Sequence, residues 1–239
     1  MCTAVAWPLA DGYLLAFNRD ELVDRPPALT PSVQGHFLSP IDPEGGGTWL
    51  ATNVFGLTLA AMNLYEALWE PQAPVRSRGL LVTDLADAST LDEVAIRVRQ
   101  HPHLMHTRPF HLLVIAPDCR ALDVRWTGES LDLTPAALPL LRVSAAFDAP
   151  AVRSARELEF TSLSETLQNS VHRSQTLREW FASHDLNGAP RGVCMHREPI
   201  AATISHTQVE VGPHASAMWY VAGAPCRDVP EFHASIGRL

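Results

Sequence analysis

A thiol one residue from the start, Cys2, and an adjacent Arg19-Asp20 pair are the residues best suited to covalent chemistry in this 239-residue sequence. Methionine aminopeptidases remove an initiator methionine when the next side chain is small, as Cys is. The product would carry a thiol and a free α-amine on one residue. Such an amine titrates near pH ~7.7–8.0 in model peptides, well placed to take the thiol proton at neutral pH. A nearby guanidinium favours the thiolate, the reactive form. Nucleophile and base would then share a residue. Asn63 adds an amide N–H able to donate to a developing oxyanion. Asn18 and Trp49 are expected on the substrate side. This chemistry requires no metal and no cofactor.

Two short strands must bring the pair together. Asp11-Gly12 between apolar runs reads as a two-residue hairpin turn, because both central residues of a type I′ turn need positive φ. Counting from that turn sets Trp7 opposite Ala16, Val5 opposite Asn18, Ala4 opposite Arg19 and Cys2 opposite Glu21. Arg19 then shares a face with Cys2, one pair along. Asp20 points to the other face unless a bulge or strand end re-aims it.

Downstream, Pro26, Pro27 and Pro31 predict a loop through about Pro43. Glu44-Gly45-Gly46-Gly47 permits a tight bend or close backbone approach to a ligand. No Lys-Ser/Thr follows, so a phosphate loop is disfavoured. A second hairpin turns at Asn53-Val54-Phe55-Gly56 and returns through Leu57 to Asn63. Helices are predicted over 80–85, from Ser89/Thr90 to about Arg99, and near 151–163 and 174–183. Strands are predicted at 110–116, 121–127, 193–196, 202–211 and 217–221. Residues 135–150 read as irregular around Leu140–Val143, and Asn187-Gly188-Ala189-Pro190 as a break. This order suits antiparallel sheets layered with helices, an α+β arrangement in one domain over 1–239.

Other classes lose ground on composition. Hydrophobic residues make up 46% and charged residues 18%, an ordinary globular balance with room for a core. The net charge is −8, every basic residue is Arg, and no basic run interleaves with aromatics, so nucleic acid is a poor partner. No apolar span is long enough to cross a membrane. Four cysteines without tight spacing or an export signal suit a reduced, cytoplasmic setting. His101, His103, His106 and His111 match no standard metal spacing. His196-Arg197-Glu198 has the His-x-Glu of zinc deaminases, but Pro225-Cys226 lacks the second Cys their partner motif needs. Neither Gly-x-Ser-x-Gly nor His-Glu-x-x-His occurs.

Asn18-Arg19-Asp20-Glu21 after an initial Met-Cys resembles the NRDE family, the transport and Golgi organisation protein 2-like proteins. Arg25-Pro26, Gly46-Gly47-Thr48-Trp49-Leu50, Asn53, Gly56, Asn63 and Arg78-Gly79 extend the resemblance, which runs through Val193-Cys194 to Thr203–Thr207. It implies an N-terminal-nucleophile hydrolase fold, a four-layer αββα sandwich of two antiparallel sheets flanked by helices. The start of the chain is also similar to the cholylglycine hydrolase and penicillin V acylase group, which hydrolyse linear amides. That similarity assigns Cys2 as nucleophile, Arg19 and Asp20 as its supports, and Asn63 as the oxyanion-hole residue. The spacing to Arg19 and Asp20 differs from the group's by one residue, with Asn18 as an alternative match, and two further positions depart from its pattern. Ser144-Ala145 stands where a second Asn is expected, and Ile204 where a late Arg is expected. The implied partner is a small-molecule amide. The alternative implied by the resemblance is a non-catalytic protein handling haem or a lipid.

Overall fold

The computed structural model describes residues 1–67, 69–70, 74–184 and 192–239. The strands are β1 (Cys2–Leu9), β2 (Gly12–Leu22), β3 (Leu29–Gln34), β4 (Phe37–Ile41), β5 (Leu50–Asn53), β6 (Thr58–Asn63), β7 (Phe110–Ile115), β8 (Arg120–Trp126), β9 (Leu131–Ala137), β10 (Leu140–Ser144), β11 (His196–Arg197), β12 (Ala201–Val211), β13 (Ala215–Val221) and β14 (Glu231–Gly237). The helices are α1 (Arg78–Leu85), α2 (Leu91–Arg99), α3 (Ala149–Asn169) and α4 (Arg173–Phe181). One antiparallel sheet runs β10-β1-β2-β12-β13-β14, with β11 also paired to β12; the other runs β3 through β9 in chain order. Among the described residues, no helix is long and apolar enough to cross a membrane.

Both faces of β1 and β2 are buried, which is why they read as almost continuous apolar runs. Ala4, Ala6, Tyr13, Leu15 and Phe17 point inward against Leu50, Ala60, Met62 and Leu113 of the second sheet. Val5, Trp7, Leu14 and Ala16 point outward beneath Leu163 and Leu167 of α3 and Leu177 and Phe181 of α4. On the far side, Leu81, Val82 and Leu85 of α1 and Val94 and Val98 of α2 cover the second sheet. The layering is αββα, as the resemblance implies. Each large apolar side chain so buried contributes ~1.5–3 kcal/mol.

The first hairpin departs from the predicted register. Leu9 pairs with Gly12, so the turn residues are Ala10 and Asp11, and Cys2 faces Arg19 rather than Glu21. A slip of two residues keeps every side chain on its predicted face. Gly12 is needed for another reason. Its φ is +140°, and a Cβ there would lie 1.8 Å from the Val211 carbonyl oxygen of β12.

Other differences lie at sheet edges, where sequence signals are weak. The predicted loop before Pro43 contains β3 and β4. Pro31 sits at a register irregularity on an edge strand, where a missing N–H is harmless. Residues 135–150 are irregular only in part, at 138–139 and 145–148: Pro135 lies in edge strand β9, and Leu140–Ser144 forms β10 beside β1. Edge strand β14 went unpredicted because only Ile236 in it is buried. The predicted break at 187–190 lies outside the described residues.

The motif residues beyond the N-terminus act largely as fasteners. A Cβ on Gly47 would come within 2.2 Å of the Gly79 backbone, so the glycine loop closely approaches the start of α1. Asn53 uses all of its amide. Nδ2 donates to Ala86 O and Ala88 O at 2.9 and 2.7 Å, and Oδ1 accepts from the Phe55 and Leu57 N–H groups at 3.0 Å each. It thereby joins the end of α1 to the β5–β6 turn. Asn53→Ala leaves four backbone groups unpaired, three of these contacts being buried, and should lower unfolding free energy by on the order of 3 kcal/mol, read from a urea titration.

Candidate active site

Cys2 opens β1 between β10 and β2. Ser144, Cys2, Arg19 and Ser205 follow one another across four neighbouring strands as register partners. Cys2 is half-buried against the inter-sheet core. Arg19, directly opposite, lies over the Trp49 ring at 4.1 Å and places Nη2 2.9 Å from Asp42 Oδ2. Arg25 reaches the same oxygen at 2.6 Å, and Asp42 Oδ1 accepts from the Glu44 and Gly45 N–H groups. Burial works against the Asp42 charge. The Arg25 hydrogen bond and the two guanidinium charges outweigh it, holding the carboxyl below its usual value.

Asp20 occupies the opposite face of the sheet. Its Oδ1 accepts from Thr203 Oγ1 at 2.6 Å, while Oδ2 is buried with no partner among the described residues. Burial pushes this carboxyl above the usual range, against the pull of Arg156 and of the N-terminal ammonium. Arg156 is fully buried; it donates to Thr3 Oγ1 and, at 2.8 Å, to Gly192 O.

Met1 is clasped to Asp20 by two backbone hydrogen bonds, Asp20 N to Met1 O at 3.0 Å and the Met1 amine to Asp20 O at 3.2 Å. Its side chain packs among Ala145, Val152 and Met195. With Met1 in place, burial pushes the Cys2 thiol up. The terminal ammonium offsets this most; Arg19 contributes least of the resolved influences. Arg19 acts in the expected direction, lowering the thiol pKa, but as the smallest of these influences; its guanidinium is engaged by Asp42 and Trp49.

Asn63 ends β6 close by. Its backbone oxygen accepts from Ser144 Oγ, the residue paired with Cys2, and its Nδ2 donates to Tyr65 Oη at 2.6 Å. The second amide hydrogen has no partner among the described residues. Tyr65 Oη also lies 3.4 Å from the Met1 amine.

Four expected residues, Cys2, Arg19, Asp20 and Asn63, are thus assembled around the N-terminus. Asn18 and Trp49 are not where a substrate would meet them. Asn18 is fully buried under α4, donating to Phe181 O and Val193 O and facing His206 Nδ1 at 2.8 Å. Trp49 is 7% exposed and serves as the surface on which Arg19 lies. Ile204 falls at the β12 bulge between Thr203 and Ser205.

Sequence reasoning overlooked Asp42, Tyr65, Arg156 and Thr203. Arg156 carried a detectable signal: it follows Val152 by four positions on the stripe that continues to Leu163 and Leu167, so it sits on the buried face of α3. A cavity of about 370 Å³ lined by Met62, Leu64, Arg142 and Val143 adjoins Asn63 and Ser144 but does not include Cys2.

Solved structures similar to this one include penicillin V acylase from Agrobacterium tumefaciens, at 12% identity and TM-score 0.59 over 99% of this chain and 86% of that one. The N-acylethanolamine-hydrolyzing acid amidase ortholog of Caenorhabditis elegans matches at 10% and 0.57 over 95% and 94%. A mutant conjugated bile acid hydrolase from Clostridium perfringens matches at 12% and 0.53 over 99% and 92%. At these identities the likeness is one of fold, and that fold is the N-terminal-nucleophile hydrolase sandwich. A search of curated proteins gives no match. The family model described as Transport and Golgi organisation 2 (TANGO2) matches residues 1–184, and the chain belongs to that family.

Proposed function

We propose that this protein is a cysteine amidohydrolase acting on a linear, non-peptide amide, with Cys2 as nucleophile after removal of Met1. The observation that carries the reading is the direct pairing of Cys2 with Arg19 while Asp20, next in the chain, accepts the terminal amine on its backbone oxygen and holds a buried, unpartnered carboxyl oxygen that feels the amine's charge. With Met1 gone, the Cys2 α-ammonium is the partner that Asp20 Oδ2 lacks. The positive charge that now offsets burial at Cys2 would then sit on the nucleophilic residue itself.

In the proposed reaction the α-amine takes the thiol proton, and Sγ attacks the amide carbonyl. The oxyanion receives the free N–H of Asn63, a contact worth ~2.7–4 kcal/mol where such donors have been removed. Collapse breaks the C–N bond, the amine proton passes to the leaving nitrogen, and a thioester remains. Water, deprotonated by the same amine, then releases the carboxylic acid and restores the thiol. Arg19, anchored by Asp42, holds a fixed positive charge opposite the nucleophile. The fold shared with an acylase, an amidase and a bile acid hydrolase supports the class of reaction.

A second reading, a haem- or lipid-handling protein, has one observation in its favour. A cavity of about 640 Å³ is lined by His103 and His106 together with Val75 and Leu80. Titration with haem separates the two readings: under the hydrolase reading, no saturable Soret shift is abolished by changing these histidines.

Mass spectrometry should find a chain beginning at Cys2. That form should react with iodoacetamide at pH 7 at least ~10-fold faster than a Met1-retaining form, the effect of one unit in thiol pKa. It should also hydrolyse acyl-amides in a screen where Cys2→Ala is inert. Retained Met1, or a Cys2 no more reactive than Cys119, would end the hydrolase reading. The depressed Asp42 carboxyl contributes stability that is complete above pH ~3.9 and is lost as pH falls through its lower folded value. Asp42→Asn should cost on the order of 3 kcal/mol at pH 7 and flatten the acid limb of a stability–pH profile.

A further inference from the structure

A second cluster of chemistry-bearing side chains lies outside the site described. His184 follows α4, Cys194 and His196 flank the entry to β11, and Cys226 lies in the loop between β13 and β14. One ligand atom from each lies within 4.8 Å of every other. Cys194 Sγ is 3.4 Å from Cys226 Sγ and 3.6 Å from His196 Nε2, which is 3.2 Å from Cys226 Sγ. The His184 and His196 ring centroids are 5.0 Å apart.

We propose that His184, Cys194, His196 and Cys226 bind a structural zinc ion. Tetrahedral zinc, with bonds of ~2.3 Å to sulfur and ~2.0–2.1 Å to nitrogen, sets its ligand atoms ~3.3–3.8 Å apart. The three separations given above cluster around that range. Two thiolates balance the charge of a divalent ion, and a sulfur–nitrogen tetrahedron selects zinc over the hard cations. Four protein ligands close the coordination shell, so the site is structural and leaves no position for substrate.

The surroundings are built for the purpose. The chain leading to Cys194 lies flat on His184: a Cβ at Gly192 would fall 2.2 Å from His184 O, and Cys194 N donates to Ser183 O at 3.0 Å. Behind the His196 ring, Nδ1 faces Glu198 Oε1 at 3.6 Å and Arg227 Nη2 at 3.2 Å, and the latter two pair at 2.7 Å. A carboxylate behind a ligating imidazole fixes its orientation. Cys194 is buried while His184 is exposed, which leaves a path for the ion.

The ion would join the end of α4 to β11 and to the β13–β14 loop. Residues 192–195 between these ligands are the stretch that Arg156, Asn18 and Thr203 grip through Gly192 O, Val193 O and Met195 N. Zinc would thus brace the wall behind Asp20, whether or not Cys2 is a nucleophile.

Elemental analysis of the full chain, purified in reducing, chelator-free buffer, should find ~1 zinc per molecule. Stripping the ion should lower the melting temperature, with recovery on adding Zn²⁺ but not Mg²⁺. Co²⁺ added to the stripped chain should give thiolate charge-transfer and tetrahedral d–d bands. Cys194→Ser/Cys226→Ser should lose metal and bands, and Cys119→Ser should keep both. A wild-type chain that holds no zinc and shows no Co²⁺ spectrum would overturn the proposal, even if the double variant fails to fold. So would zinc retained by the double variant, or a Cys194–Cys226 disulfide found in the protein purified under those reducing conditions.

Discussion

The first residue of the chain is locked into the middle of a doubly covered sheet by reciprocal hydrogen bonds between Met1 and Asp20. A chain end normally frays at the surface; here the terminal amine is held under Tyr65 and beside a buried carboxylate. The consequences oppose each other. Burial favours the neutral forms of both Cys2 and Asp20, and the ammonium charge is what chiefly restrains the thiol's rise. Any chemistry at Cys2 depends on where that one positive charge sits.

Alternation along β2 divides the support between two faces. Arg19 turns inward to Asp42 and Trp49, while Asp20 turns outward toward Thr203 and Arg156. Buried ion pairs add little net stability, because desolvation offsets their attraction, yet breaking one by removing a single partner costs ~3–5 kcal/mol. Their value here is geometric. The Arg19–Asp42 pair fixes the direction of one β2 side chain and the Thr203 hydrogen bond that of the next, so the register cannot slip without stranding a buried polar group.

Several residues on which the sequence resemblance rests make structural contacts. Asn53 ties a turn to a helix end, Gly47 and Gly79 let two backbones touch, and Asn18 pins the end of α4. His184, Cys194, His196 and Cys226 show the converse: side chains whose polar atoms meet at one point although no local motif announces it.

Local patterning determined a good deal by itself. Apolar runs marked the central strands, capping residues marked α2, and an early turn placed Arg19 on the face of Cys2, because side-chain faces follow from a period of two whatever the exact turn. The hairpin register needed the third strand, since β12 approaches so closely that only glycine fits at position 12. Edge strands β3, β10 and β14 stayed illegible because prolines and polar residues are tolerated there and half-buried strands lack a strong alternation. The partners of Arg19 and Asp20, and the meeting of His184, Cys194, His196 and Cys226, were decided by tertiary structure alone. These contacts join residues far apart in the chain, and no local preference encodes which distant segments will share one buried point.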